Sequence, residues 1–265
     1  MIICIKGAGE MATAVAWRLY MANIRKIFML ECPRPLAVRR KVSFCEAVYD
    51  DFHEVENVKA VLCHDAEGIE RCWQDENVAV VVDPAWRILG SMKADVVVDA
   101  ILAKKNLGTN LSEAILVVGL GPGFTAGQDV HMVVETNRGH DLGRIIMSGS
   151  AEPNTGIPGS IEGFTEERVL RAPLDGQFDP AKKIGEKVAT GDMVGDVDNV
   201  AVPAGIDGVL RGLIRPGSDV RKGLKIGDID PRGAKDYCFT ISDKARAISG
   251  SVLEAVLRVF PPGDG

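Results

Sequence analysis

Met1-Ile2-Ile3-Cys4-Ile5-Lys6-Gly7-Ala8-Gly9-Glu10-Met11-Ala12 opens the chain, and the expected architecture grows from this stretch. A short, almost continuous apolar run suits a parallel strand buried on both faces. The Gly-Ala-Gly turn leads into a helix over residues 11–21, with apolar side chains at Val15, Ala16, Leu19 and Tyr20. A second strand over residues 27–30 is closed by the acid Glu31. Strand, glycine turn, helix, strand and acid is the order of a dinucleotide-binding βαβ unit. In such a unit Gly7 and Gly9 bring backbone N–H groups to an anionic ligand, and Glu31 holds ribose hydroxyls. Two residues depart from the pattern. Ala12 replaces the third glycine, and Glu10 puts a negative charge into the turn. The alternative is a Rossmann-like scaffold whose tight turn holds no nucleotide.

The alternation continues downstream. Strands are expected over residues 58–63, 78–82 and 96–98, with helices over 67–74 and 86–92, which predicts a mostly parallel, doubly wound sheet. A strand over residues 115–118 then runs into Gly119-Leu120-Gly121-Pro122-Gly123-Phe124-Thr125-Ala126-Gly127. So many glycines weaken regular structure, and they suit positive-φ turns or close backbone approach to a ligand, which marks Gly121 and Gly123 as binding candidates. Beyond a strand over residues 130–135 stand His131, Glu135, Arg138 and His140. Imidazole titrates near neutral pH, so His131 and His140, with Glu135, are the catalytic candidates. Arg34, Arg39, Lys104 and Arg138 are the cations placed to offset ligand charge. Guanidinium forks suit phosphate, although the arginines at 34–40 also fit a solvated helix face.

With 265 residues, 46% of them hydrophobic and 26% charged, the chain has ample material for a core. Its net charge of −6 argues against a general nucleic-acid surface. No apolar run is long enough for a membrane span and no signal peptide is evident, so a cytoplasmic location is expected. The six cysteines form no Cys-x-x-Cys pair, and neither a structural metal nor a disulfide is expected.

From Leu170 the chain repeats with an offset of 32 residues: Asp175-Gly176 matches Asp207-Gly208, and Gly195-Asp196-Val197-Asp198 matches Gly227-Asp228-Ile229-Asp230. Two such copies make a small β domain. It resembles the biotinyl/lipoyl barrel-sandwich, but the hairpin Val197-Asp198-Asn199-Val200 lacks the carrier lysine, so neither biotin nor lipoate is expected. The domain scheme is 1–163, a Rossmann-like cofactor-binding domain; 164–236, the barrel-sandwich domain; and 237–265, a segment ending in a helix that packs back on the first domain.

Several strings together resemble one family: Gly7-Ala8-Gly9-Glu10, Val98-Asp99-Ala100-Ile101-Leu102-Ala103-Lys104, Gly119 to Gly127, Glu135-Thr136-Asn137-Arg138-Gly139-His140 and Ala151-Glu152-Pro153-Asn154-Thr155-Gly156. The chain is similar over essentially its whole length to the YqeB-like accessory proteins of the selenium-dependent molybdenum hydroxylase system. It is distantly similar to the Rossmann-like half of xanthine dehydrogenase accessory proteins. The resemblance implies a factor that matures molybdenum hydroxylases carrying labile selenium. Such a factor would bind a molybdopterin-type cofactor or its nucleotide form between the Gly7–Glu10 turn and the Gly121–Gly127 loop, and would partner the hydroxylase. Two other readings stay open. One is an NAD-dependent oxidoreductase, with Glu31 disfavouring a 2′-phosphate; the other is a non-enzymatic docking scaffold for the hydroxylase, and a homo-oligomer fits any of the three.

Overall fold

The computed structural model describes residues 1–261. These form two compact units that do not follow one another along the chain. The first contains Met1–Pro35, Ser43–Asn154 and the residues from Ile241 onward; the second contains Leu36–Val42 and Thr155–Thr240. The expected boundaries at 163 and 236 therefore shift to 154 and 240, and a seven-residue piece near the N-terminus, Leu36–Val42, joins the later unit.

The first unit is built on a sheet of nine strands. In chain order these are β1 (Ile2–Lys6), β2 (Lys26–Glu31), β3 (Phe52–Val55), β4 (Val58–Cys63), β5 (Val78–Val82), β6 (Val96–Asp99), β7 (Leu116–Leu120), β9 (Met132–Val134) and β10 (Ile145–Ile146). Short strands β8 (Thr125–Ala126) and β11 (Gly149–Ser150) pair separately. The order across the large sheet is β10-β9-β7-β6-β1-β2-β5-β4-β3. The apolar runs read from sequence form its centre. Phe28 pairs with Cys4 and Ala79, while Val97 pairs with Cys4 and Val117, so one row of apolar residues crosses five strands. Ile69 and Cys72 of α3 (Ala66–Gln74) join that row in a single core cluster. Helix α1 (Glu10–Met21) packs against α4 (Asp243–Val259), which begins nine residues before the expected helix start at 252. The four-residue helix α2 (Ala47–Asp50) precedes β3. Among the described residues no helix is long and apolar enough to cross a membrane.

The Rossmann expectation is corrected here. The sheet is mixed, with β3 antiparallel to β4 at one edge and β10 antiparallel to β9 at the other. Its later crossovers lack the α-helices of a doubly wound fold. The helix expected over residues 86–92 is only a 3-10 turn, Arg87–Gly90, entered through Trp86 in the left-handed region (φ 57°). Asp83 fixes that entry, its Oδ2 accepting the Ile88 N–H at 2.8 Å.

The second unit contains β12 (Val169–Arg171), β13 (Gly176–Pro180), β14 (Lys187–Val188), β15 (Met193–Val197), β16 (Val200–Pro203), β17 (Gly208–Leu213), β18 (Ser218–Val220) and β19 (Lys225–Asp230). They form two antiparallel four-stranded sheets, β12-β19-β17-β14 and β16-β15-β13-β18. Both repeat copies contribute to both sheets. The repeated aspartates are exchanged as well: Asp207 Oδ1 accepts the Thr190 N–H and Asp175 Oδ1 accepts the Lys222 N–H, each at 2.7 Å. A biotinyl/lipoyl-type domain following the first was expected; the structure instead has two half-barrel sheets completed by the distant Leu36–Val42 segment.

Arg39 makes that completion. It is 5% exposed, and its guanidinium donates to the Tyr237 and Thr240 carbonyls at 2.8 and 2.9 Å. A Val38 side chain beside the backbone of Gly212 adds an apolar contact that any Cβ at 212 would displace. Arg39→Ala removes a buried charged donor from two backbone carbonyls and is expected to destabilise the second unit by about 2–3 kcal/mol. Hydrogen exchange confined to residues 155–240 checks this; unchanged protection there would contradict it.

Candidate functional site

In the large sheet the strand order reverses beside β1, with β2 on one side and β6 on the other. Open α/β sheets gather ligands outside the C-terminal strand ends at such a point. Here the loops after β1 and β6 meet closely. Gly7 has φ +89°, and a Cβ on it would lie 3.3 Å from Ala100 O and Ile101 Cα.

The turn expected to cradle a nucleotide is already engaged. Glu31 folds back, its Oε1 accepting the Ala8 N–H at 2.9 Å and its Oε2 the Cys32 N–H at 2.7 Å. Gly7 N–H goes to Leu30 O at 2.7 Å, and Gly9 is the N-cap residue of α1. Glu10 accepts from the Ser242 hydroxyl at 2.9 Å, and Ser242 in turn caps α4. A carboxylate therefore occupies the N–H that a phosphate or ribose would need.

The glycine-rich loop is also filled from within. At Gly121 (φ +76°) a Cβ would collide with Thr136 Oγ1, and at Gly123 (φ +113°) one would lie 2.7–2.9 Å from the Lys105 backbone. The close approach that these glycines permit is to neighbouring loops of the protein. Through Gly123 the loop after β7 supports the loop that carries Lys104.

Beneath that loop lies a buried charged network. Lys6, fully buried, pairs across the sheet with Asp99. Its Nζ donates to Thr109 Oγ1 at 2.8 Å and to both Glu113 oxygens at 2.7–2.8 Å, and lies 3.5 Å from the Trp86 ring centroid. Thr109 Oγ1 donates to Asp99 at 2.6 Å. Burial pushes the Asp99 carboxyl above its ordinary range, against the pull of its hydrogen bonds and Lys6.

Lys244 senses the charges of Lys104, Arg138, Glu10 and Glu135, and Lys104 senses that of Glu135. Glu135, 2% exposed, accepts the Asn137 N–H at 2.6 Å and the Glu152 N–H at 2.7 Å. Arg138 forms a two-pronged pair with Asp243 in the first turn of α4, each contact 3.0 Å. Lys104 is exposed overall, yet burial still holds its ammonium below the usual lysine range while Glu135 pulls it back up. Burial lowers Lys244 too, aided by the charges of Lys104 and Arg138 and opposed by Glu10 and Glu135.

Of the residues singled out from sequence, Glu31 ends β2, and Gly7, Gly9, Lys104, Gly121, Gly123, Glu135 and Arg138 lie in the loops at the C-terminal strand ends, where the Gly7 and Gly123 loops make the contacts described above. His131 lies elsewhere. It precedes β9, and its Nδ1 accepts the Val117 N–H at 2.9 Å at the opposite end of the strands. His140 is exposed, Arg34 is exposed, and Arg39 belongs to the other unit. Lys244 was missed, although Ser242-Asp243 is a readable helix start that would have placed it in a first turn.

No family model matches the chain. The chain is 45% identical over 262 residues, 99% of its length, to the uncharacterized protein YqeB of Escherichia coli (strain K12), and covers 48% of that protein. The expected likeness to YqeB therefore holds, and the chain spans about half the length of the curated relative it matches. Among solved structures it is similar to an aspartoacylase family protein from Mesorhizobium loti, at 11% identity over 86% of this chain and 84% of that one, TM-score 0.28. A succinylglutamate desuccinylase from Silicibacter matches at 14% identity over 86% and 84%, TM-score 0.25. Scores at this level carry no argument about fold or activity. The expected role in molybdenum hydroxylase maturation is corrected all the same. The matching relative is itself uncharacterized and gives that role no support. In the turn to which the nucleotide and NAD readings assign their ligand, the Glu31 carboxylate accepts the Ala8 N–H.

Proposed function

We propose that the C-terminal end of the β1–β6 crevice binds a small carboxylic acid, with its carboxylate held between Lys104 and Lys244. One observation supports this reading above the others. Two lysines repel each other in a partly desolvated position, and among the described residues neither ammonium has a hydrogen-bond or ion-pair partner. The nearby carboxylates are engaged elsewhere: Glu135 by two backbone N–H groups, Glu10 by Ser242. An incoming anion relieves the repulsion, and Arg138 flanks the position. Glu10, Glu135 and Asp243 already balance three cations, so a monoanion suits the site better than a phosphate dianion.

The test is an NMR or calorimetric titration with butyrate and with inorganic phosphate. Butyrate is expected to bind and Lys244→Met to weaken it at least 10-fold, about 1.4 kcal/mol. Because the folded-state lysines titrate below their ordinary value, affinity falls as pH rises through that lowered range. The same substitution removes an unfavourable charge, so the unliganded variant should melt about 1–3 °C higher. Undiminished butyrate binding by Lys244→Met sinks the reading, and tighter binding of phosphate overturns the choice of carboxylate.

A further inference from the structure

Two of the six free cysteines share one place in the fold. Cys63 is the last residue of β4, Cys72 lies on α3, and both belong to the same core cluster. The helix brings them together. A Cβ at Gly68 would lie 3.6 Å from Cys63 Cβ, and Cys72, four residues beyond Gly68, projects from the same face of α3. The thiols are hydrogen-bonded to one another, with Cys72 as the donor. Cys63 Sγ in turn donates to Val61 O at 3.5 Å.

Access separates this pair from the other core cysteines. Cys4 and Cys238 are 0% exposed and Cys45 1%, whereas Cys63 keeps 6% and Cys72 5%. That opening suits an oxidant little larger than water. The bond from Cys72 holds the Cys63 thiol below its ordinary range against burial, and the same bond, with burial, pushes Cys72 up. Cys63 therefore loses its proton first, and the thiolate is the nucleophile.

We propose that Cys63 and Cys72 are a peroxide-responsive dithiol that closes to a disulfide between the end of β4 and α3. The Cys63 thiolate attacks hydrogen peroxide: an S–O bond forms, the O–O bond breaks, and the leaving hydroxide takes up the Cys63 proton as water. The Cys72 sulfur then attacks the Cys63 sulfenic acid. The S–S bond forms, the S–O bond breaks, and the hydroxyl departs with the Cys72 proton as a second water. Two thiols lose two electrons, and one peroxide is reduced to two waters. The new bond ties α3 to the strand before it, at the end where Asp65 Oδ1 already accepts the Gly68 N–H at 2.7 Å.

The experiment treats the folded full chain with hydrogen peroxide, unfolds it in an alkylating reagent, and maps the digest by mass spectrometry. A peptide pair joining Cys63 to Cys72 and released by dithiothreitol is the expected product, with Cys4, Cys45 and Cys238 recovered alkylated. Cys72→Ser keeps a hydroxyl donor but removes the second sulfur, so dimedone should trap the Cys63 sulfenic acid. That labelling is expected to exceed labelling of Cys72 in Cys63→Ser roughly 10-fold. Recovery of both thiols alkylated, or Cys63 as sulfinic acid beside an unoxidised Cys72, overturns the disulfide. Formation no faster in the folded chain than in urea overturns the claim that the fold presets the pair. Equal labelling of the two variants overturns Cys63 as the attacking sulfur.

Discussion

Lys6→Ala is expected to lower the stability of the first unit by about 3–5 kcal/mol, because it strips the cation from a buried network and leaves the carboxylates. Lys6 is fully buried, and Glu113 keeps only 13% of its side-chain surface. Both Glu113 oxygens, the Thr109 hydroxyl and the Trp86 ring would lose their shared partner. A loss of that size corresponds to a melting temperature about 10 °C lower. Urea unfolding should show a reduced midpoint with an unchanged slope. The double replacement Lys6→Met with Glu113→Gln should recover most of the loss, since removing both charges costs far less than removing one. A Lys6→Ala protein within 1 kcal/mol of the parent would show that the network is not what holds the loop after β6.

Gly123→Ala carries the second large effect. The new Cβ would lie 2.7–2.9 Å from the backbone atoms of Lys105, which cannot swing aside as a side-chain end can. At φ +113° the alanine is strained as well. Backbone strain of about 1–3 kcal/mol and a forced shift of similar size together predict a loss of about 3–5 kcal/mol. Gly127→Ala is the control: it shares a positive φ, +83°, but points into open space, and only the left-handed cost of about 1–2 kcal/mol applies. Because Gly123 supports the loop bearing Lys104, butyrate binding should fall with stability in Gly123→Ala and persist in Gly127→Ala. Equal losses in the two variants would contradict the steric account.

The sequence allowed the central strands to be read because a strand buried on both faces leaves a local mark. Ile2–Lys6, Val78–Val82 and Val96–Asp99 are apolar runs bounded by polar or glycine residues, and they form β1, β5 and β6. The 32-residue repeat was equally local, and its Asp-Gly pairs foretold two similar halves, though not that strands and hydrogen bonds would be exchanged between them. Lys6 shows what stayed hidden. At the end of an apolar strand a lysine reads as the first exposed residue, and only a partner 107 positions away makes its burial tolerable. Arg39 misled in the same manner. Its neighbours suggested phosphate recognition, whereas its acceptors are backbone carbonyls about two hundred residues along. The glycines of residues 119–127 were rightly seen as sites of close approach. Phe124 of the same loop packs on Gly119, but Gly121 and Gly123 are approached by Thr136 and Lys105, and no local pattern names a tertiary neighbour.

The order of the segments bears on how the chain is made. Leu36–Val42 leaves the ribosome more than a hundred residues before Thr155, so this strip of the second unit waits, without its partners, for the rest of that unit to emerge. At about 5–20 residues per second the wait lasts several seconds. The first unit waits longer. The face of α1 that α4 covers stays bare until residues 243–259 have been synthesised, after the whole of the second unit. Each unit is thus interrupted by the other during translation, and neither closes on a nascent chain until nearly all of it is present. Destabilising substitutions in β1, α1 or residues 36–42 should therefore lower the yield of folded protein in cells more than their equilibrium cost suggests, because they act on surfaces already exposed for the longest time.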